Sequence, residues 1–230
     1  MEFFHLTGRG VEKRNIVLDD SDRLRFLHDL YAFNDLNPVE NYGLPGRRGE
    51  RPKRHLLVHV HAFCLMLNHY HLLVSETVEN GISLFMQKLN MGYTKYFNER
   101  YERSGALWQG KYRKVHIARG AHFLYMPFYI HLNPLDYIMP EWREGGVQDM
   151  PMALKHLEEY RWSSHLDYFG VRNFPSITQR DELQELLGKR AAYKKTIAEI
   201  LSDQTLASES NALEWNDRCR TQTWTSDVQV

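Results

Sequence analysis

The chain has 230 residues, 43% of them hydrophobic, with 29 basic and 29 acidic side chains and a formal net charge of zero. That is enough for one large domain or a core with an appendage, and the two cysteines, Cys64 in an apolar run and Cys219 in a polar tail, exclude a disulfide framework or a cysteine metal site. The opening MEFFHLTGRG lacks a basic n-region, and no run of about 18 apolar residues occurs, so a reducing cytoplasm is expected and a membrane is not.

FFHLT (3–7) reads as a first strand. After Asp19, Asp20 and Asp22, the spacing of Leu24, Leu27, Leu30 and Tyr31 predicts a helix with acidic residues at its start. Residues 36–54 hold three prolines, three glycines and a basic cluster, and read as a solvent-facing loop. HLLVHVHAFCLM (55–66) and HYHLLVSE (69–76) read as adjacent antiparallel strands joined by a short break at Leu67 and Asn68. Beyond Gly81, the positions Ile82, Phe85, Met86, Leu89, Tyr93 and Tyr96 define a long amphipathic helix. GALWQGKYRKVHIA (105–118) reads as a turn and strand, and HFLYMPFYIHLNP (122–134) as a helix ended by Asn133 and Pro134, with Pro127 as a kink or first-turn residue. Beyond residue 140, residues 153–170 and 181–202 are helical by pattern, and the polar stretch from about 205 reads as loosely held. The order β-α-β-β-α-β-α describes a small α+β domain with an antiparallel sheet and helices gathered on one face.

The zero net charge is a sum over unequal parts. Residues 1–140 carry 18 Lys and Arg against 14 Asp and Glu, and residues 141–230 carry 11 against 15. Arg47, Arg48, Arg51, Lys53 and Arg54 oppose only Glu50, while Lys111, Arg113, Lys114 and Arg119 oppose no acid between them. Such clusters are the footprint a phosphate backbone requires, and they are also what ordinary solvated loops look like.

Side chains alternate across a strand, so His69 and His71 project to one face, within reach of a single metal ion. His59 and His61 offer the same spacing one strand earlier, but inside a strand, whereas His69 follows a tight turn where substrate can approach. Two imidazoles leave a coordination sphere incomplete. Tyr129 and Asn133, four apart on the predicted helix, share a face and present a phenol and an amide oxygen; the alternative is that Tyr129 packs the helix and Asn133 caps it.

Taken together, four segments resemble the single-tyrosine HUH transposases, and most nearly the branch called REP-associated tyrosine transposases. AFCLMLNHYHLLV resembles the His-hydrophobe-His element, and FMQKLNMGYTKYFNERYERSGALWQGKYRKVHI the helix, turn and strand that follow it. FYIHLNPL is similar to the helix bearing the nucleophilic tyrosine, and YRWSS to the segment just after that core. The resemblance spans about residues 2–170. It departs at Tyr70, where an aliphatic residue is usual, at Leu67, where proline is common, and at Phe128, often Arg, which Pro127 precedes.

The resemblance implies an α+β, ferredoxin-like antiparallel sheet with helices packed on one face over residues 1–140, a helical C-terminal extension over 141–204 and a tail over 205–230. It implies His69, His71 and Asn133 as ligands of a divalent metal, Mg or Mn, with Tyr129 as nucleophile. The activity implied is cutting and rejoining single-stranded or hairpin DNA through a 5'-phosphotyrosine, by a homodimer. Arg47, Arg48, Arg51, Lys53, Arg54, Lys111, Arg113 and Lys114 are then candidates to hold phosphates, and Trp108, Tyr112 and Tyr70 to stack on bases, with burial the alternative for Trp108. Rival readings are a hairpin-binding regulator that does not cut, a replication initiator or relaxase, and a zinc hydrolase using His59, His61, His69 and His71.

Overall fold

The structure, a computed structural model, describes residues 1–37, 54–118, 120–143 and 146–202. Strand β1 spans Phe3–Arg9 and leads through a short turn to helix α1, Asp20–Ala32. Asp19 caps α1, its carboxylate accepting from the Asp22 amide at 3.0 Å. Strands β2 (Val58–Leu65) and β3 (His69–Glu76) form the hairpin expected at Leu67 and Asn68, and helix α2 runs over Gly81–Arg100. Strand β4, Arg113–Ile117, and helix α3, Ala121–Leu132, complete the core, with Pro127 inside α3 rather than in its first turn.

The sheet order is β2-β3-β1-β4, antiparallel at every pairing, which is the split β-α-β arrangement of a ferredoxin-like fold. Alternation along the strands decides both layers. Leu6, Tyr70, Leu72 and Val74 face α1 and α2, meeting Phe26, Leu30, Phe85 and Leu89 in one buried core. Phe3, Ala62, Cys64 and Leu73 face the other way, into a second core with α3. The expectation that the helices gather on one face therefore holds only for α1 and α2. On the other face Phe3, Leu73, Ala62 and Cys64 are the apolar positions, among the polar His5, Thr7, His69 and His71, and α3 with the C-terminal helices covers them.

Those helices are α4 (Met150–Glu159), α5 (His165–Tyr168), α6 (Asp181–Leu187) and α7 (Arg190–Ser202). Two predicted helices are broken. Residues 153–170 divide at Tyr160–Ser164, which runs extended along β2: the Leu65 amide donates to the Trp162 carbonyl at 2.9 Å and the Ser164 amide to the Phe63 carbonyl at 3.0 Å. Residues 181–202 divide at Gly188, whose φ of 75° is a left-handed turn open to glycine. Tyr193 and Ile197 of α7 pack into the α3 core. The polar stretch from 205 and Cys219 lie outside the described residues, as do Arg47, Arg48, Arg51, Lys53 and Arg119. Among the described residues, no helix is long and apolar enough to cross a membrane.

Candidate active site

His69 and His71 open β3 on the face that α3 covers. In the ladder Arg9 stands opposite His69 and Thr7 opposite His71, and Thr7 in turn stands opposite Arg113. The two imidazole centroids are 4.9 Å apart. Each ring is held through Nδ1: His69 donates to Asn68 Oδ1 at 2.6 Å, and His71 Nδ1 lies 2.9 Å from His5 Nε2. Both Nε2 atoms are thereby left for other uses. His71 Nε2 is buried and has no hydrogen-bond partner among the described residues, a condition that costs free energy unless something occupies it. Burial, then the nearby charge of Arg9, lowers His69 to about 4; burial, then the neighbouring rings of His69 and His5 and the charges of Arg143 and Arg9, holds His71 well below the usual range. Both rings are neutral at physiological pH, the state a metal ligand needs.

Tyr129 meets this pair from α3. Its ring lies edge-on to His71 at 5.8 Å and to His5 at 5.9 Å, and it is only 2% exposed. Asn133 follows one helical turn later, as its spacing predicts, and its Nδ2 donates to the Tyr129 carbonyl at 2.7 Å. Its Oδ1 accepts from Arg143 Nη2 at 2.9 Å, so the amide oxygen is committed within the fold. The two Nε2 atoms thus fit a divalent ion, while the Asn133 oxygen already accepts from Arg143. Among the described residues no group of three or more His, Cys, Asp or Glu converges as a metal site. Cys64, opposite His71, stays a neutral thiol because burial raises its pKa.

The four-histidine arrangement does not form. His61 sits at a bulge between Val60 and Ala62, beside the far end of β3, with Nε2 on Ser75 Oγ at 2.8 Å and Nδ1 on the Gln179 carbonyl at 3.1 Å. His59 stands opposite Ser75.

The proposed DNA contacts divide. Arg54 is folded inward, donating to the carbonyls of Tyr31 and Asn34 and lying 3.8 Å over the Tyr31 ring. Trp108 is 9% exposed and donates to the Asn90 carbonyl, and Tyr70 is fully buried, its hydroxyl on Asn90 Oδ1, so both are core anchors here and not stacking platforms. Tyr70, the unusual residue between the histidines, fits because Gly8 faces it across the ladder: a Cβ there would lie 2.4 Å from the Tyr70 hydroxyl. Lys111 and Lys114 are exposed; Tyr112 is half-buried, its hydroxyl 3.5 Å from Ser83 Oγ; Arg113 points to the histidine face. Phe128 turns away from the site and stacks on Tyr193 of α7 at 5.2 Å.

Sequence reasoning missed His5, Arg9 and Arg143. His5 and Arg9 share the parity of Phe3 and Thr7 on β1, and only the strand register places them beside His71 and His69. Arg143 lies fourteen positions past Tyr129 in an irregular stretch, where no pattern marks it.

Residues 51–132 match the family described as Transposase IS200 like. Among solved structures, that of a REP-associated tyrosine transposase bound to a REP hairpin is similar at 12% identity and a TM-score of 0.45, over 78% of this chain and 86% of that one. No curated protein matches the chain. The segment of this chain that matches the IS200-like transposase family holds His69, His71 and Tyr129.

Proposed function

We propose that this chain is a metal-dependent single-strand DNA endonuclease and strand transferase that cuts hairpin or palindromic DNA through a 5'-phosphotyrosine on Tyr129. The observation that carries the reading is the meeting of Tyr129 with a histidine pair whose Nδ1 atoms are tied down and whose buried His71 Nε2 has no partner. A hard divalent cation, Mg or Mn, held there would polarise the scissile phosphate and offset its charge. The chain's own residues do the rest. Asn68 and His5 fix the ring orientations of His69 and His71. Tyr129 gives up its phenolic proton, its oxygen bonds to phosphorus, and the bond to the 3' oxygen breaks; that oxygen gains a proton and leaves as a 3'-hydroxyl. The ester energy stays in the phosphotyrosine, so the 3'-hydroxyl of another strand reverses the step and joins the DNA without a nucleotide triphosphate. Arg9 and Arg113 on this face of the sheet, and Lys111 and Lys114 at its β4 edge, are phosphate contacts in this reading, and Arg47, Arg48, Arg51 and Lys53, outside the described residues, are further candidates. A flexible single strand suits in-line attack better than a stiff duplex. Residues 1–140 form the catalytic unit in this reading, the extension over 141–204 carries the helices α4 to α7 that cover its second face, and two copies supply the two cuts that moving a segment requires.

One observation favours a second reading, a hairpin-binding regulator that does not cut: Tyr129 is only 2% exposed. The test is a denaturing gel of the protein with labelled single strands copied from palindromes beside its gene, with Mg or Mn. A metal-dependent covalent adduct that Tyr129→Phe and His69→Ala both lose is expected. Tight hairpin binding without any adduct makes the regulator the correct reading.

A further inference from the structure

Past the end of the family match, the chain folds a 3-10 turn, Pro140–Arg143, back beneath α3. It brings one cation to the buried face of Tyr129: the Arg143 guanidinium lies 5.1 Å from the Tyr129 ring centroid and 4.6 Å from that of Trp142. Its position is fixed by charge-assisted bonds. Nε donates to Asp136 Oδ1 at 2.9 Å, and Nη2 donates to Asp136 Oδ2 at 2.8 Å and to Asn133 Oδ1 at 2.9 Å. Trp142 Nε1 donates to the same Asp136 at 2.8 Å, which anchors the counter-ion too. The side chain is 11% exposed.

A purely structural tie explains this poorly. Drawing the guanidinium to 11% exposure is costly, and its partly exposed pair with Asp136, itself 29% exposed, adds little net stability. What the charge adds is a preorganised donor beside the nucleophile, where negative charge builds on phosphorus during transfer. We propose that Arg143 is a catalytic residue of the cleavage reaction, donating to a non-bridging oxygen of the scissile phosphate when Tyr129 attacks it. This rests on the tyrosine-nuclease reading above. Arg143 lies outside residues 51–132, so the charge comes from this chain's own extension and not from the matched segment. As the phosphate enters, it competes with Asn133 and Asp136 for the guanidinium.

The test is the single-turnover rate of adduct formation at saturating hairpin DNA, for wild type, Arg143→Lys and Arg143→Gln, with hairpin affinity and melting temperature measured for each. Arg143→Gln should lose about 10²- to 10³-fold in rate, as for removal of one transition-state donor, with hairpin affinity within threefold of wild type. Arg143→Lys, keeping the charge, should stay within about tenfold. Overturning results are Arg143→Gln cutting within threefold of wild type, or equal losses in both variants that track melting temperature or hairpin affinity. Should Arg143→Gln fail to fold, Arg143→Lys decides: a rate within tenfold supports the assignment and a loss beyond a hundredfold overturns it. A wild type that forms no adduct removes the nuclease reading itself, whereas an active wild type with an indifferent Arg143 removes only this inference.

Discussion

Replacing His5 by leucine tests how the site is held together. His5 and His71 are 7% and 6% exposed, and in the proposed reading the 2.9 Å contact between His5 Nε2 and His71 Nδ1, with Nδ1 donating, keeps the His71 Nε2 lone pair for the metal. Leucine fills similar space but leaves His71 Nδ1 buried without this partner, a cost of about 1–3 kcal/mol, against a gain of about 1.5–3 kcal/mol for burying the new side chain. Global stability should therefore move by no more than about 2 kcal/mol in either direction. The local effect is larger. Losing the group that orients a metal-bound imidazole costs about 10- to 100-fold in affinity, or about 1.4–2.8 kcal/mol. His5→Gln retains a carbonyl oxygen to accept from Nδ1 and should recover most of the loss. Mn titration followed by electron paramagnetic resonance, with urea unfolding as the control, measures both quantities. Equal Mn affinity in wild type, His5→Leu and His5→Gln would show that the orienting argument is wrong.

Acid should weaken the fold through histidines outside the active site. Burial lowers His61 to about 4 and His165 to about 3, and holds His131 well below the usual range, while the unfolded chain titrates near 6.5. The unfolded chain thus takes up protons first. The stabilisation is complete above about pH 6.5 and falls as pH drops toward 4, by up to about 1.4 kcal/mol per pH unit for each histidine. Urea unfolding at pH 7.5 and 5 reads this directly, and equal free energies at the two values contradict it. Gly8→Ala places a Cβ 2.4 Å from the Tyr70 hydroxyl and should destabilise by about 1–3 kcal/mol, much less in a Tyr70→Leu background; additive melting shifts in the double mutant would refute the packing. Trp108→Ala should cost about 3–5 kcal/mol of stability, because Trp108 is an internal anchor. Should it instead weaken hairpin binding tenfold at unchanged melting temperature, Trp108 stacks on bases.

What the sequence revealed follows the range of the forces involved. Strand β3 was legible to the residue, because its alternation and its turn are local, and α2 was legible because its apolar stripe runs through Ile82, Phe85, Met86, Leu89 and Tyr93. The extended run Tyr160–Ser164 was not, because its hydrogen-bonding partners on β2 lie about a hundred residues earlier, and local pattern alone continues the helix. The histidine pair and Tyr129 were named from spacing and resemblance, yet His5 needed the β1–β3 register, which no single strand encodes. Arg54 misled because a charged run looks solvated until the carbonyls of Tyr31 and Asn34 are seen to receive it. Asn133 was placed well, but its oxygen is claimed by a residue ten positions on.

The burial of Tyr129 has a kinetic meaning. In the proposed cleavage reaction, a phenol held between the sheet and Arg143 would react only in the fraction of molecules that have opened, and every 1.4 kcal/mol favouring the closed form would slow cutting tenfold. Affinity and cutting are then separately adjustable. A DNA that grips the basic rim equally well in both forms is held intact, and only one that binds the open form better shifts the balance toward cleavage. On that reading, storing the nucleophile would turn the fold into a checkpoint, at which the choice of strand to break is made after binding.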